Sequence, residues 1–256
     1  MGKVFAIAGN TFREVIRDRV LYILVFFAVA LIALSKALGW ISIDHDLKVI
    51  ADLSLAGISI FTLLITVFLG TTLVYKEVEK RTLYSILAKD IRRPHFVLGK
   101  YFGLLATAVL CVAGMGATFF LYLLLMGGAP TVAMALALFG IVLELAVITS
   151  LSLLLSSLTS PVLSAIITFA LFLTGHSMEV LRKFVEEANY GGKTADRFLM
   201  SLYYILPNLE NFNFKNYVGA PALPEAGHVL FATLYALAYS FVLLVLTLAV
   251  YQKKDF

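Results

Sequence analysis

Charge is what this chain has least of. Only 14% of its 256 residues are Asp, Glu, Lys or Arg, and 61% are hydrophobic. A soluble domain carries roughly 25% charged residues, so lipid is the expected solvent for most of the surface. Cysteine is nearly absent. Its single copy, Cys111, lies in an apolar run, which excludes an internal disulfide framework and leaves a small buried hydrophobe. Paired metal ligands are missing as well. His45, His95, His176 and His228 show neither H-x-x-x-H nor H-E-x-x-H spacing, so zinc catalysis is unsupported. His45, between Asp44 and Asp46, reads as a solvated loop position in preference to a metal contact. Met115, Met126 and Met134 have no Cys or His cluster around them and read as packing residues, not copper ligands.

A phosphate-cradling G-x-x-x-x-G-K-[ST] loop is lacking too. Gly191-Gly192-Lys193-Thr194 imitates its end, but Glu187 occupies the first glycine position. Leu98-Gly99-Lys100 fails in the same way, with Pro94 in that position and Tyr101 after the lysine. The chain is not expected to bind ATP, and no cofactor of its own is expected.

Long apolar runs are abundant, and the mean hydropathy is +0.95. A bilayer core about 30 Å thick needs roughly 20 apolar residues of helix. Six segments approach that length: 20–38, 53–75, 101–126, 131–157, 160–176 and 229–250. Gly127-Gly128-Ala129-Pro130 reads as a turn between the third and fourth. Ser160-Pro161 reads as an N-cap and first helical position of the fifth. The predicted fold is an all-α integral membrane protein with six transmembrane helices, in one permease-sized domain over 1–256.

Residues 1–19 carry four basic and two acidic residues before the first apolar run, unlike a cleaved secretory signal. Phe5, Ala8, Phe12, Val15 and Ile16 share one helical face, with Arg13, Glu14, Arg17 and Asp18 largely opposite. A retained amphipathic helix lying in the interface plane is predicted.

The net charge of +4 is small, and basic residues beside apolar runs serve as topology signals rather than as a nucleic-acid footprint. Counting Lys and Arg between the spans gives 13 on the side of both termini and 7 on the other. Both termini are therefore expected in the cytoplasm of a cell inner (plasma) membrane, with residues 177–228 outside. In that outer loop Met178, Leu181, Phe184, Val185 and Ala188 share a helical face, as do Phe198, Leu199, Leu202 and Ile205. Two short amphipathic helices are predicted there, followed by irregular structure through NLENFNFKNYVGAPALPEAGH (208–228).

Seven of the 20 Lys and Arg residues crowd into KEVEKRTLYSILAKDIRRPHFVLGK, residues 76–100. Leu83, Leu87 and Ile91 line up at i, i+4 and i+8 on a helix through 76–93. The residues alone leave three readings: a topology-fixing loop, an interfacial helix drawn to anionic lipid, and a helix that docks on a cytoplasmic partner.

Glu144 is the one ionisable residue deep within a predicted span. Such a group marks a pathway or relay, or it is a protonated carboxyl bonded to a neighbouring helix, aided by Thr149 or a serine one helix away. The lack of a second charge in the spans argues against a proton-relay chain. Gly103, Ala106, Gly114 and Gly116, with Ser152, Ser156, Ser157, Ser160 and Ser164, are expected to allow close helix approach and interhelical hydrogen bonds. No nucleophile–base–acid arrangement can be assembled.

Residues 52–103, DLSLAGISIFTLLITVFLGTTLVYKEVEKRTLYSILAKDIRRPHFVLGKYFG, resemble the ABC-2-type permease family, the membrane half of certain ATP-driven transporters. The branch that includes multicopper-enzyme maturation permeases is the most similar. The likeness rests on Glu77, Arg81-Thr82-Leu83, Leu87, Arg93 and Leu98-Gly99-Lys100. NTFREVIRDRVLY (10–22), SSLTSPVLSAIITF (156–169) and the closing aromatic-Gln-Lys-Lys-Asp tail add to it. Arg81 stands where many relatives carry Gly, and Asp90 where they carry Pro. The resemblance implies that residues 1–19 are an elbow helix and that 76–94 are a coupling helix seated on a nucleotide-binding subunit. Glu77, Arg81, Thr82, Leu83, Leu87, Arg92 and Arg93 would carry that contact.

The function expected is that of a permease subunit, without catalysis of its own. It would be driven by a separate cytoplasmic ABC ATPase subunit that binds the ATP, and paired with a second copy or a similar permease in membrane lipid. Export is the direction that the resemblance favours. Two rivals remain: a non-transporting membrane scaffold, and a membrane-embedded lipid-modifying enzyme, which would need paired acidic, His or Cys groups at matching depth.

Overall fold

The computed structural model describes residues 2–39, 46–79, 93–179 and 206–253. Among these, the regular elements are helices: α1 (Gly2–Ile16), α2 (Arg19–Gly39), α3 (Asp46–Glu79), α4 (Arg93–Leu125), α5 (Val132–Leu158), α6 (Pro161–His176) and α7 (Ala226–Lys253). Two 3-10 turns, Leu209–Phe212 and Phe214–Tyr217, precede α7.

Four of these helices, α3, α4, α5 and α7, are long and apolar enough to cross a membrane. A fifth span is counted if α1 and α2, bent by 63° at their junction, are taken together. The predicted 160–176 span is α6, with only 16 residues. At 1.5 Å per residue it reaches about 24 Å, short of the ~30 Å hydrocarbon core. Tyr22, Ile23, Phe26 and Leu34 of α2 are more than half exposed, as are Leu230, Phe231, Leu234, Leu237 and Phe241 of α7. Contiguous apolar surface on this scale is not left facing water. With several helices of spanning length, it is the lipid-facing surface of a membrane protein.

Helix α5 is at the centre and packs on α3, α4, α6, α7 and both 3-10 turns. Its sequence is apolar all round, the pattern of a helix buried within a bundle. Ile141, Val147 and Ile148 are at most 1% exposed. The predicted turn after α4 forms with Gly127 at φ +80°, a left-handed conformation in which glycine has no Cβ penalty. Gly127 N and Gly128 N then donate to the carbonyls of Leu124 and Leu123. Pro161 opens α6 as predicted, although Ser160 sits at the N-cap without a side-chain capping bond. Cys111, Met115 and Met134 are buried in the core.

Two helices overrun their predicted bounds into the basic stretch. No glycine or proline interrupts Lys76–Glu79, so α3 continues through Glu79; α4 opens with Arg93-Pro94, proline being tolerated in a first turn. Of the predicted 76–94 helix, residues 80–92 lie outside the described residues.

The N-terminal helix turns its Thr11 and Val15 side to the protein. Asp18 caps α2 by accepting a hydrogen bond from Val20 N at 2.9 Å, and α1 folds back on α4. A Cβ on Gly99 would lie 2.6 Å from Ile7 Cβ, and one on Gly103 would lie 2.6 Å from Thr11 Cβ and 2.7 Å from Ala8 O. Ile7, Ala8, Thr11 and Val15 therefore face the bundle, whereas Phe5 is 75% exposed. The glycines of α4 select the face, because only there can the helices approach closely.

Candidate functional site

The stretch predicted as irregular, 208–228, is largely packed into the protein. Leu209, Phe212, Phe214 and Val218 are at most 2% exposed. Two glycines make room for them. A Cβ on Gly175, one residue before the end of α6, would meet Leu209 Cγ at 2.7 Å and Pro207 O at 2.8 Å. A Cβ on Gly140 of α5 would collide with the Phe212 carbonyl oxygen and lie 2.8 Å from Phe214 Cδ2. The hydroxyl of Tyr235 on α7 accepts a hydrogen bond from Asn208 N at 3.0 Å.

Depths along the helices agree with this placement. Glu144 lies 14 residues before the end of α5 and His176 lies 15 residues into α6, roughly 21 Å and 22 Å from the turn that joins the two helices. The short α6 thus stops level with a carboxyl far inside the long α5, and residues 206–218 fill the space beyond its end. Non-helical backbone at such depth is tolerated only where protein buries it or where it borders a cavity. The segment is a cap over the end of α6.

A chain of ionisable groups fastens the cap. His176 Nε2 lies 2.8 Å from Glu144 Oε1, and His176 Nδ1 lies 3.4 Å from Glu210 Oε2. Asn213 and Asn216 donate from their side-chain nitrogens to Glu210 Oε1 at 2.8 and 3.5 Å. Asn208 Oδ1 accepts from Glu210 N at 3.2 Å and caps the first 3-10 turn. Phe172 stands edge-on to the imidazole, 4.7 Å between ring centres. The Glu144 side chain is 4% exposed, against 23% for His176 and 30% for Glu210.

This narrows the reading of Glu144: it is bonded to a neighbouring helix, as one of the two readings had it, but not with the aid of Thr149. Its partner is His176, while Thr149 Oγ1 donates to the Leu145 carbonyl of its own helix at 2.6 Å, the usual local bond of a helical threonine. The expectation that no second ionisable group stands beside it also fails, because α6 ends at the depth of Glu144. Both ring nitrogens of His176 face carboxylates, which leaves neither to activate a serine, threonine or cysteine. Among the described residues, no group of three or more His, Cys, Asp and Glu is arranged to hold a metal ion.

Of the coupling residues inferred from the sequence, Glu77 lies in the last turn of α3; Arg81, Thr82, Leu83, Leu87 and Arg92 lie outside the described residues. Arg93 opens α4 and donates from Nη1 to the carbonyls of Tyr251 and Gln252 at 2.8 and 3.0 Å. A guanidinium on the last carbonyls of α7 answers both their unmet acceptors and the helix dipole. His45 and the predicted helices of the outer loop lie outside the described residues, apart from buried Met178.

The small residues divide. Gly103 meets α1, and a Cβ on Gly116 would lie 2.8 Å from Leu138 Cδ1, but Gly114 has nothing within 4 Å. A Cβ on Gly70 of α3 would lie 2.7 Å from Ser152 Oγ, which brings α3 against α5. Ser156 donates back to Leu153 O at 2.9 Å. A cleft of about 410 Å³ opens between α3 and α6, lined by Leu64, Val67, Phe68, Val162, Ile166 and Phe169. Val162 and Ile166 are 70% and 60% exposed there.

Helices of spanning length with apolar outward faces define an integral membrane protein. The chain belongs to the ABC-2 type transporter family, whose model matches residues 2–179, and it is a permease component of that class. No curated protein matches it.

Proposed function

We propose that the chain is the permease subunit of an ATP-driven exporter, with ATP bound and hydrolysed on a separate cytoplasmic ABC ATPase subunit. The observation that carries this reading is the family match over residues 2–179; the cap, a segment without α-helix packed over the end of a short helix, supports it as the closure of a pathway from one side. The apolar cleft between α3 and α6 supports a second permease, identical or similar, completing the pathway wall. Residues 80–92, with Glu77 and Arg93 at their flanks, form the contact with the ATPase. Both termini and that contact are on the cytoplasmic side of the cell membrane, and the cap faces outward. ATP binding draws the ATPases together, shifts the coupling contact, and repopulates the bundle towards an outward-open state. Such a shift is as large as the differential binding that drives it.

The test is co-purification of the chain with a soluble ATPase whose turnover rises on association. Leu83→Asp with Leu87→Asp should abolish that association, and unaltered binding would defeat the docking role. An ATPase that binds without any change in turnover would favour the scaffold reading. Labelling of residues 80–92 from the outside of intact cells would defeat the orientation.

A further inference from the structure

Glu144, His176 and Glu210 do more than join three elements, because their geometry fixes a proton count. A carboxylate only accepts hydrogen bonds, and an imidazole offers one N–H when neutral and two when charged. With a carboxylate oxygen at 2.8 Å from one ring nitrogen and another at 3.4 Å from the second, both contacts are attractive only if the trio holds one titratable proton. That proton rests on the ring, giving imidazolium, or on one of the carboxyls. Without it, a ring lone pair faces a carboxylate oxygen, two acceptors with nothing between them. The Glu144 side chain is 4% exposed and holds the closer contact, so it keeps the remaining ring N–H; the repulsion falls on Glu210, 30% exposed, which water takes up when the cap leaves.

We infer that the cap is a proton-bound latch: residues 206–218 seal the end of α6 while the trio holds one proton, and release it when that proton leaves. The inference rests on the reading of this segment as the closure of the transport pathway, but its readout needs neither transport nor an ATPase. The surroundings fit a release confined to the cap. Asn213 and Asn216 hold Glu210 Oε1, so Oε2 is the oxygen presented to the ring, and both asparagines move with the cap. Lys215, also on the cap, opposes positive charge on His176. Lys48 and Asp52 of α3 share a polar cleft with Lys215, Asn213 and Asn216. From α7, Tyr235 offers its hydroxyl to Asn208 N, and His228 stands edge-on to Phe214, 5.5 Å between ring centres. His228 is the imidazole that touches the cap from α7, so it serves as the control.

The sign follows from linkage. The sealed state binds one proton more than the released state, in which Glu210 is solvated and ionised, so sealing is favoured as pH falls and lost as pH rises. A difference of one proton allows at most about a tenfold change in the released fraction per pH unit.

The experiment uses the full chain in phosphatidylcholine nanodiscs, without an ATPase, on a Cys111→Ser background. Maleimide labels either Val218→Cys, at a position 2% exposed, or Leu223→Cys, at one 52% exposed. The ratio of the two rates cancels thiol ionisation. That ratio should climb several-fold per pH unit on the alkaline side of the histidine range, about pH 5 to 8. In Glu144→Gln the amide N–H donates to a neutral ring nitrogen while the other ring N–H serves Glu210. No titratable proton is then needed, and the ratio should stay low and flat. His228→Asn should keep the wild-type slope. A flat wild-type ratio, a slope that survives Glu144→Gln, or a slope lost in His228→Asn would each overturn the latch. A pH-dependent ratio in a chain that stimulates no ATPase would keep the latch and sink the permease reading; a flat ratio in a chain that transports would do the reverse.

Discussion

At one end of the bundle α1 lies against α4, with Gly99 and Gly103 beneath Ile7 and Thr11. At the other, residues 206–218 lie against α5 and α6, with Gly140 and Gly175 beneath Phe212 and Leu209. Both contacts use glycine to bring backbone close, and they differ in what is added. The elbow contact is a steric fit whose strength has no proton to lose. The cap adds Glu144, His176 and Glu210 to the same kind of fit, which makes its strength a function of ionisation. A rigid joint and a releasable one are thus built from the same packing device, and the polar trio is the difference.

The largest effects should come from filling the glycine contacts. Gly103→Val places methyl groups where Thr11 Cβ and Ala8 O already sit within 2.7 Å of the β position. The backbone carbonyl cannot step aside, so the cost should reach about 3 kcal/mol, read as a lowered thermal midpoint in detergent at every pH. Gly140→Val should cost as much, but locally: the Phe212 carbonyl oxygen must move, and the Val218→Cys label should react at every pH while α1 remains packed. If the two variants give the same pattern, the two ends are one cooperative unit and the contrast between them fails.

His176→Leu comes next. It removes the bridge and leaves Glu144 without its partner in a site where its side chain is 4% exposed. An unsatisfied buried carboxyl costs about 2 kcal/mol, and thermal unfolding of the variant against wild type measures it. The cap should loosen, whereas proteolytic protection of α1 should not change.

Much of this was legible beforehand, and the rest was not for identifiable reasons. Composition and run length marked an all-helical membrane protein and located the four helices of spanning length, because lipid imposes a length and a polarity on each. Ser160-Pro161 marked the start of α6, because proline cannot be placed deep in a helix without a break. Glu144 stood out as an isolated acid, but its partners lie 32 residues away at His176 and beyond that at Glu210. Their meeting depends on α6 stopping short, which periodicity does not encode. The cap did leave a signal. Leu209, Phe212, Phe214, Tyr217 and Val218 are too many large apolar residues for a solvated loop, even without helical or strand spacing. The face that α1 turns to the bundle was not legible in residues 1–19, because the choice lies elsewhere, in the two glycines of α4. At Glu77, Arg81, Thr82, Leu83, Leu87 and Arg92, the sequence reading rests on resemblance and waits on the co-purification test.

Smaller effects should sharpen the contrast. Tyr235→Phe removes the hydroxyl that accepts from Asn208 N at 3.0 Å, and should cost about 1 kcal/mol, read as faster labelling of the cap. Arg93→Ala removes two donors from the carbonyls of Tyr251 and Gln252 at the elbow end. Its cost of about 1 kcal/mol should appear as faster amide exchange in the last turn of α7, leaving the cap untouched.

Phe5→Ala should have the smallest effect on stability, and it tests which face of α1 meets the bundle. Had Phe5 been a bundle-facing anchor, its truncation would remove a buried aromatic ring, a loss of about 3 kcal/mol or more. The ring is instead 75% exposed, while Val15 and Thr11, which meet the bundle, are at most 1% exposed. A substitution on the outward face should stay within about 0.5 kcal/mol, and Val15→Ala should exceed it several-fold in the same thermal assay. Phe5 does contribute apolar area to the lipid-facing side of an interfacial helix, so its loss should weaken adsorption of an isolated 1–19 peptide to vesicles. A variant that unfolds the protein but leaves peptide adsorption intact would turn α1 over and make the glycines of α4 incidental.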